Sequence, residues 1–246
     1  MVLLVTGGGR GIGAATARLA AARGHDVCVN YRANRTAADA VAAEIRAAGR
    51  RALVCQADVA VEADVARLFA AVDAEFGPLM ALVNNAGILE RQGRVDQMDA
   101  ARLSRVLATN VTGAFVCARE AVRRMSTAHD GAGGAIVNVS SRAAQLGAPG
   151  EYVDYAASKA ALDALTIGLA REVAAGGIRV NGVRAGIIYT DIHASGGEPG
   201  RVDRLAPTLP MRRGGRPDEV ARAILWLLSD DASYSTGTFI DVAGGR

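Results

Sequence analysis

Short apolar runs alternate with longer alanine-rich segments along almost the whole chain. The runs have the length and composition of buried strands, and the segments between them repeat apolar residues at helical spacing, as at Val65, Leu68, Phe69 and Val72. This alternation is typical of repeated βαβ units around a parallel sheet. We therefore predict an α/β fold with one doubly wound parallel sheet of about seven strands, flanked by helices, in a single domain over residues 1–246.

The same pattern places the individual elements. Strands are predicted at seven runs: Val2 to Thr6, Asp26 to Tyr31, Ala52 to Gln56, Ala81 to Asn84, Ala135 to Ser140, Arg179 to Val183 and Thr238 to Asp241. Helices are predicted to begin near six positions: Gly11, Thr36, Glu62, Asp99, Asp154 and Pro217. Neither a linker nor a repeat beyond this alternation divides the chain.

One long stretch, residues 186–216, breaks the alternation and is rich in glycine and proline. A compact domain seldom keeps so long an irregular segment unless it is a functional loop or is disordered. We predict that it forms a mobile lid over a substrate.

The composition excludes several classes of protein. Half of the residues are hydrophobic and 22% are charged, which suits a compact fold and not a disordered chain. No apolar run approaches the ~18–20 residues that span a bilayer, and the chain begins with a strand-like run instead of a leader, so we expect a cytoplasmic protein without membrane segments. The net charge is only +3 and the arginines are scattered, which argues against nucleic-acid binding.

The cysteines and histidines carry no recognisable motif. Cys28, Cys55 and Cys117 cannot all pair, and we expect them to be buried free thiols. The three histidines are far apart in sequence and share no ligand spacing with the cysteines, so we expect no metal site.

A glycine-rich turn, TGGGRGIG over Thr6 to Gly13, lies directly between the first predicted strand and the first predicted helix. Glycines at this point permit a tight turn and a close approach of backbone N–H groups to a pyrophosphate, which the helix N-terminus also favours. Such a turn is weak alone, but its place between strand and helix predicts a dinucleotide site in a Rossmann fold.

The end of the second strand indicates which dinucleotide would bind. An NAD-preferring domain offers an acidic residue to the ribose hydroxyls there, whereas this chain has Asn30, Tyr31 and Arg32. Arg32, together with Arg10 in the glycine turn, can bind a 2′-phosphate through charge-assisted hydrogen bonds. We predict that NADP(H) is preferred over NAD(H), although both arginines are also compatible with plain surface positions.

Polar residues follow the third and fourth strands. Asp58 lies in QADV, and NNAG runs from Asn84 to Gly87. The carboxyl ends of parallel strands are where ligands bind in an open doubly wound sheet. Asp58 is equally compatible with a cap of a turn or helix, and NNAG with a turn of small residues.

Two further polar positions interrupt regular elements. Asn110, in ATNVTG, lies inside a helical run where an amide is a poor helix former, so it marks a kink or faces solvent. Ser141 ends the strand-like IVNVSS, where its hydroxyl can bind a substrate oxygen or simply end the strand.

Tyr155 and Lys159 lie one helical turn apart in YVDYAASKA, and Lys159 is the only lysine in the chain. On one face of a helix, the ammonium can stabilise a phenolate and lower the pKa of the tyrosine. An arginine would be a poor substitute because its planar fork differs in shape and hydration. A solvated surface lysine is the other interpretation, and the remaining motifs argue against it.

Taken together, these motifs resemble the short-chain dehydrogenase/reductase family. They cover nearly the whole chain in the family's order and approximate spacing: TGGGRGIG, Asp58, NNAG, Asn110, IVNVSS, YVDYAASK and the IIYT after Gly186. Within the family, VNVSS, GAPGEYVDYAASK and IHASGGEPGRVDR are similar to stretches of glucose-dehydrogenase-like and YgfF-type oxidoreductases. This likeness does not establish glucose as a substrate.

The resemblance implies a role for each catalytic candidate. Tyr155 is the general acid/base, Lys159 lowers its pKa and holds the nicotinamide ribose, Ser141 positions the substrate oxygen, and Asn110 supports a water-mediated proton relay. Tyr152 is a rival phenol, but it lies two turns from the ammonium.

The resemblance also implies the cofactor contacts. It assigns Gly7, Gly11, Ile12 and Gly13 to the phosphates and adjoining ribose, Asp58 and Val59 to the adenine, Asn84, Ala86 and Gly87 to the adenosine and nicotinamide sides, and Gly186, Ile188 and Thr190 to the nicotinamide end, where the last two meet the carboxamide.

The chain departs from the family pattern at two points. Ala185-Gly186 stands where the family usually has Pro-Gly, so the turn lacks proline's fixed φ and the base of the lid is expected to be looser. The segment from Ser141 to Tyr155 is one residue longer than in many members, which reshapes the pocket wall near residues 145–152.

These observations predict an NADP(H)-dependent oxidoreductase that interconverts a carbonyl and a secondary alcohol. The alternative is an NADP(H)-binding redox sensor without catalysis, which would need no proton relay. We expect a homotetramer from the resemblance and a small-molecule substrate in a mixed polar pocket that draws on Glu90, Arg91, Gln145, Glu151, Tyr152, Tyr189 and His193.

Overall fold

The computed structural model describes residues 1–246. Seven parallel strands form one sheet in the order β3-β2-β1-β4-β5-β6-β7. The strands are β1 Val2–Val5, β2 Asp26–Tyr31, β3 Ala52–Gln56, β4 Ala81–Asn84, β5 Gly134–Ser141, β6 Ile178–Ala185 and β7 Phe239–Val242. The predicted doubly wound parallel sheet of seven strands is confirmed.

Ten α-helices connect or follow the strands. They are α1 Gly11–Ala22, α2 Arg35–Ala47, α3 Glu62–Phe76, α4 Ala100–Leu107, α5 Gly113–Met125, α6 Ala143–Leu146, α7 Val153–Val173, α8 Ile192–Ser195, α9 Arg201–Leu205 and α10 Pro217–Leu228. Short 3-10 turns lie at Val95–Gln97, Thr127–His129, Ala174–Gly176, Ala206–Thr208 and Asp230–Ala232. A π-helical turn, Ala108–Thr112, joins α4 to α5.

Each face of the sheet carries its own hydrophobic core. Alternate residues of β1 divide between them: Leu3 and Val5 pack with α1, α2 and α10, whereas Val2 and Leu4 pack with α3, α5 and α7. The predicted apolar face of α3 is completely buried in the second core. Helices therefore cover both faces, as the near-continuous apolar composition of the strands requires.

Three predictions of local structure need correction. The run predicted as one helix from Asp99 is divided by the π-helical turn. Residues 186–216 are not wholly irregular, because they contain α8, α9 and a 3-10 turn. Cys28 and Cys117 are buried free thiols, but Cys55 is only half-buried. Burial raises the pKa of Cys117 to about 12.

Candidate active site

A cavity of about 480 Å³ opens at the carboxyl edge of the sheet, within the size range of ligand sites. The strand order reverses between β1 and β4, and the cavity includes the loops after both strands. This is the point at which open parallel sheets bind ligands. Most predicted site residues line it: Gly7, Arg10, Gly11, Ile12, Arg32, Asp58, Val59, Ala86, Gly87, Ser141, Tyr155, Lys159, Gly186, Ile188 and Thr190.

The glycine turn is held open towards the cavity by Asn30. Gly7 and Gly11 have φ of 62° and 53°. These values lie in the left-handed region, where a residue with a side chain would be strained. The Asn30 Oδ1 accepts a hydrogen bond from Gly7 N at 3.1 Å, while its Nδ2 donates to Ala57 O at 3.0 Å. Asn30 therefore ties the turn to the segment after β3. The sequence analysis noted Asn30 only because it stands where an NAD-preferring domain would have an acidic residue. An amide in an apolar strand could have indicated that Asn30 holds neighbouring backbone in place.

Gly13 has a packing role and does not line the cavity. A Cβ on Gly13 would lie 2.5 Å from both Asn85 Nδ2 and Gly7 O, so α1 can approach the turn this closely only with glycine. Asn85 in turn donates from Nδ2 to Thr6 O at 2.9 Å. The contact joins the loops after β1 and β4.

The two asparagines of NNAG have different surroundings. Asn84, predicted as a cofactor contact, lies outside the cavity and is 4% exposed. Its Nδ2 donates to Asn138 Oδ1 at 3.1 Å and to Ala114 O at 3.2 Å, so it links β4 to β5 and α5. Asn85 lines the cavity with Ala86 and Gly87. The sequence could not distinguish these neighbours, because the end of β4 decides which side chain faces the opening.

The cavity wall beside the glycine turn and the end of β2 is basic. Arg10 and Arg32 are exposed on the cavity wall. Asp58 lines the same wall, and its Oδ1 accepts a hydrogen bond from Ala60 N at 3.0 Å, so it also caps the turn after β3. The capping interpretation of Asp58 is confirmed, and its contact with a ligand stays a prediction.

The base of the 186–216 segment is packed against β7. Gly186 N donates to Val242 O at 3.0 Å, and a Cβ on Gly186 would lie 2.6 Å from Ala243 Cα. Glycine is thus required sterically at this turn. A Cβ on Gly11 would lie 3.2 Å from Thr190 Cγ2, which shows how closely the segment approaches the glycine turn.

Asn110 lies in the π-helical turn, is 1% exposed and faces away from solvent. Its Oδ1 accepts from Ile88 N at 2.8 Å, and its Nδ2 donates to Ile88 O at 3.1 Å and to Ser158 Oγ at 3.0 Å. A π-helical turn interrupts the helical run at Asn110, and the solvent-facing alternative is wrong. With its amide bonded in this way, the side chain holds the loop after β4 against α7.

Tyr155, Lys159 and Ser141 meet in the cavity wall. The Lys159 Nζ donates to Val139 O at 2.8 Å and lies 5.6 Å from the centre of the Tyr155 ring. Ser141 Oγ lies at the end of β5 and accepts from Ala143 N at 3.1 Å. Tyr152, the rival phenol, is buried below Arg201 and donates to Gly196 O at 3.4 Å.

Burial shifts the pKa values of Lys159 and Tyr155. It lowers the pKa of Lys159 to about 8, against the opposing charge of Asp163. It raises the pKa of Tyr155 to about 12, and hydrogen bonding from Ser141 acts in the opposite direction. The predicted lowering of the Tyr155 pKa by Lys159 is therefore absent in this arrangement, because burial dominates and only the hydrogen bond with Ser141 opposes it. A neutral phenol is a proton donor.

The substrate end of the cavity differs from the predicted pocket. Three predicted residues line it, Glu151, Tyr152 and His193, whereas Glu90, Arg91, Gln145 and Tyr189 lie outside. Three arginines that sequence reasoning missed also line it: Arg142, Arg201 and Arg246. They come from separate parts of the chain, and no local pattern brings them together.

An ion-pair network attaches the 186–216 segment to the rest of the domain. Arg201, 5% exposed, pairs with Glu151 and with Glu198 at 3.0 Å. Gln92 Nε2 also donates to Glu198 Oε2 at 2.5 Å. These contacts cover Tyr152.

Two classes of feature are absent from the structure. No group of three or more histidine, cysteine, aspartate and glutamate side chains comes together as metal ligands. None of the helices is both long enough and apolar enough to span a membrane.

Comparison with known proteins identifies the family of this chain. The family model for enoyl-(acyl carrier protein) reductase matches residues 7–246. The chain is 61% identical to an uncharacterized oxidoreductase, YgfF, of Escherichia coli (strain K12), over 100% of this chain and 99% of that protein. The chain belongs to the short-chain dehydrogenase/reductase family. As a short-chain dehydrogenase/reductase, it is an oxidoreductase, and the resemblance to YgfF-type members is confirmed.

Two further dehydrogenases are similar to nearly the whole chain. A cis-4-hydroxycyclohexanecarboxylate dehydrogenase of Sinomonas cyclohexanicum is 44% identical, with 99% of this chain and 95% of that protein covered. The solved structure of a short chain dehydrogenase from Burkholderia cenocepacia J2315, in complex with NADP, is 36% identical with a TM-score of 0.90, and covers 99% of this chain and 96% of that one.

Proposed function

We propose that this protein is an NADP(H)-dependent oxidoreductase that interconverts a carbonyl and a secondary alcohol, with Tyr155 as general acid/base. The observation that carries the proposal is the meeting of Tyr155, Lys159 and Ser141 in one cavity with the glycine turn. A proton donor, an ammonium and a hydroxyl beside a dinucleotide cradle are the parts that such a reaction requires.

The residues present fit the dinucleotide. The left-handed Gly7 and Gly11 leave the backbone free of side chains, and a Cβ on Gly87 would lie 3.5 Å from Lys159 Nζ. Backbone N–H groups at the start of α1 would hold the phosphates, and Arg10 and Arg32 would hold a 2′-phosphate. The NADP bound by the Burkholderia cenocepacia relative supports this assignment.

Bound nicotinamide supplies the hydride for reduction and accepts it in oxidation. Tyr155 gives its phenolic proton to the carbonyl oxygen as that oxygen gains charge, and takes the proton back from the alcohol in the reverse direction. Because burial holds the pKa of Tyr155 at about 12, the phenol is protonated at neutral pH and ready to act as the acid.

The neighbouring groups position this proton transfer. Ser141 presents a hydroxyl at the end of β5 that can donate to the same substrate oxygen. Lys159 is charged below its pKa of about 8 and stabilises negative charge that develops on the phenol. Asn110 is a positioning residue, because its side chain forms hydrogen bonds with Ile88 and Ser158 and does not face the cavity.

A redox sensor that binds NADP(H) without catalysis is not favoured. It would need the dinucleotide cradle, but it gives no reason for a buried phenol, a buried ammonium and a strand-end hydroxyl to meet in the cavity. We propose a homotetramer on family resemblance alone, and a cytoplasmic location stays a prediction from the sequence.

The proposal is tested by following NADPH oxidation with a panel of ketones, aldehydes, sugars and quinones, with NADH in parallel. Turnover that requires both NADPH and Tyr155 supports the proposed reaction. NADPH that binds tightly, measured by calorimetry, without turnover of any compound in the panel would favour the sensor.

A further inference from the structure

Arg246 brings a guanidinium group to the substrate end of the cavity, although it is far from the catalytic motifs in sequence. After β7 the chain turns through Gly244 and Gly245, which have φ of 62° and 88°. A Cβ on Gly245 would lie 2.9 Å from Pro210 Cβ, so the turn also needs glycine for space. This turn directs Arg246 back over the sheet edge.

The backbone of Arg246 is held beside the catalytic serine. Arg142, the residue after Ser141, donates from Nε to Arg246 O at 2.7 Å. The Arg142 Nη1 also donates to Asp241 Oδ2 at 2.8 Å, so its own charge has a carboxylate partner. Arg246 is thereby fixed to the turn that carries Ser141.

The Arg246 guanidinium itself has no acidic partner. It takes part in no ion pair, and its Nη1 is buried without a hydrogen bond. A buried charged donor with no acceptor is costly, and such an atom is rare unless a ligand satisfies it. Burial and the charge of Arg201 lower the pKa of Arg246, and the opposing effect of the Glu151 carboxylate does not offset them.

The other charges on this wall are already compensated. Arg201 and Arg204 both pair with Glu151 and Glu198, so these four groups carry no net charge together. His193 Nε2 contacts Ile188 O at 3.0 Å, and burial lowers the pKa of this histidine, which keeps the ring neutral. Arg246 is therefore the cation at the substrate end that forms no ion pair and keeps a buried N–H group without an acceptor.

We propose that Arg246 binds a carboxylate of the substrate, so that the substrates are ketones and secondary alcohols that carry a carboxylate group. This inference rests on the proposed function, because it assigns the substrate of the same cavity. A planar guanidinium matches a carboxylate in shape and charge. A phosphate dianion would require a second free cation, and Arg142 and Arg201 are both paired.

The body of the substrate is expected to be apolar. The segment between Ser141 and Tyr155 lines the cavity with three apolar side chains, Ala143, Leu146 and Ala148. A hydrocarbon framework that joins the carbonyl to the carboxylate would contact them. Sugars, whose hydroxyls need partners on all sides, fit this wall less well.

The test is a binding measurement that needs no turnover. Cyclohexanecarboxylate and cyclohexanecarboxamide are titrated calorimetrically into the protein saturated with NADP⁺, for wild type, Arg246→Gln, Arg246→Lys and Arg171→Gln. Arg171 is an exposed arginine at the end of α7 and serves as a matched control. Wild type and Arg171→Gln should bind the acid at least about tenfold more tightly than the amide, as one charge-assisted pair supplies.

Arg246→Gln should lose this preference, and Arg246→Lys should keep part of it because the charge remains. Equal binding of acid and amide by wild type, including no binding of either, overturns the carboxylate site, as does a preference that survives in Arg246→Gln. Melting temperatures within a few degrees of wild type establish that the variants are folded.

Turnover separates the two proposals. For 4-oxocyclohexanecarboxylate and its methyl ester, Arg246→Gln should lower kcat/KM for the acid at least about tenfold more than for the ester. A binding preference without NADPH-dependent turnover of any ketone would contradict the reductase and leave the anion site standing. Turnover of the ester without any preference for the acid would support the reductase and contradict the anion site.

Discussion

The Lys159 ammonium lies 5.6 Å from the centre of the Tyr155 ring and donates its hydrogen bond to Val139 O at 2.8 Å, not to the phenol. One helical turn of α7 places both side chains at the carboxyl end of β5. Burial disfavours the charged form of both groups, but Lys159 remains charged below its pKa of about 8 and Tyr155 remains neutral below its pKa of about 12. Their ionisation can be tested separately.

Replacement of Tyr155 by phenylalanine removes only the hydroxyl. We expect Tyr155→Phe to bind NADPH as wild type does and to lower kcat by at least ~100-fold, the range for loss of a general acid. Tyr234→Phe is the matched control, because that side chain is fully exposed and lies outside the cavity. Single-turnover kinetics measure the effect, and an unchanged rate in Tyr155→Phe would remove the assignment.

Burial of Lys159 predicts a specific dependence of stability on pH. The folded pKa of about 8 lies below the ordinary value of 10.5, so the unfolded chain binds more protons between these pH values. The free energy of unfolding gains a contribution from Lys159 as the pH rises from 8 towards 10.5, on the order of 3 kcal/mol in all. Below pH 8 the cost of burying the charge is fully present.

Lys159→Met isolates this contribution. The buried thiols and Tyr155 titrate in both proteins, so they largely cancel in the difference between wild type and variant. Urea unfolding at one protein concentration should show the variant gaining stability relative to wild type at pH 7, with the gap closing towards pH 10. A gap that does not change with pH would mean that Lys159 is not buried as a cation.

Chemical modification gives a second measurement at the same residue. Lys159 is the only lysine, so amine-reactive reagents have only this side chain and the N-terminal amine to modify. NADPH should protect Lys159 if the ammonium contacts the ribose. Equal labelling with and without NADPH would contradict that contact.

The sheet could be predicted from sequence because each strand is a mainly apolar run, and the five inner strands are largely buried. Asp26–Tyr31 and Ala52–Gln56 have the predicted bounds, and α1 and α3 begin at the predicted residues Gly11 and Glu62. Local composition decides these elements. The π-helical turn at Asn110 was predicted only as a kink, since its form depends on the bonds from Asn110 to Ile88 on another loop.

The parts of the site that the sequence did not predict depend on long-range contacts. Asn84 and Asn85 are adjacent and chemically identical, yet one bonds Asn138 inside the fold and the other lines the cavity. Arg246 reaches the cavity through a turn that packs on Pro210. Neither the direction of a side chain at a strand end nor a contact between distant segments leaves a periodic pattern.

Arg32 is expected to set the cofactor preference. Arg32→Ala removes a charged donor from the cavity wall beside the glycine turn, and the end of β2 carries no acidic residue that would favour NADH instead. The ratio of kcat/KM for NADPH to that for NADH should fall by ~10–100-fold, the value of charge-assisted hydrogen bonds to one phosphate. Arg35→Ala, at a nearby arginine outside the cavity, should leave the ratio unchanged. If the ratio of the two kcat/KM values is unchanged in Arg32→Ala, residues other than Arg32 set the cofactor preference.

Glu198 is expected to hold the 186–216 segment closed. It contacts Gln92, Arg201 and Arg204, and hydrogen bonds from Arg204 and Arg201 lower its pKa to about 2. Glu198→Ala should speed hydrogen exchange over residues 192–205 and raise KM more than it lowers kcat. Asp96→Ala, in an exposed pair with Arg94, is the control. Unchanged exchange in Glu198→Ala would show that other contacts hold the segment.

Arg102 and Asp154 form the most buried ion pair beside the catalytic helix. Their side chains are 12% and 2% exposed, and Arg102 Nε lies 2.7 Å from Asp154 Oδ2. Asp154 directly precedes Tyr155 in the sequence. Arg102→Met leaves a buried carboxylate without a partner, which should lower the free energy of unfolding by about 3 kcal/mol. It should also slow turnover, because the start of α7 loses a contact that fixes Tyr155.

Arg105→Met is the matched control on the same helix. Arg105 pairs with Glu90, whose carboxylate is 29% exposed and can be hydrated when the arginine is removed. Its effect on stability should therefore be much smaller than that of Arg102→Met. Equal losses in the two variants, measured by urea unfolding, would show that α4 as a whole and not the Arg102–Asp154 pair supports the catalytic helix. A double variant, Arg102→Met with Asp154→Leu, should recover most of the lost stability, since no buried charge then remains unpaired.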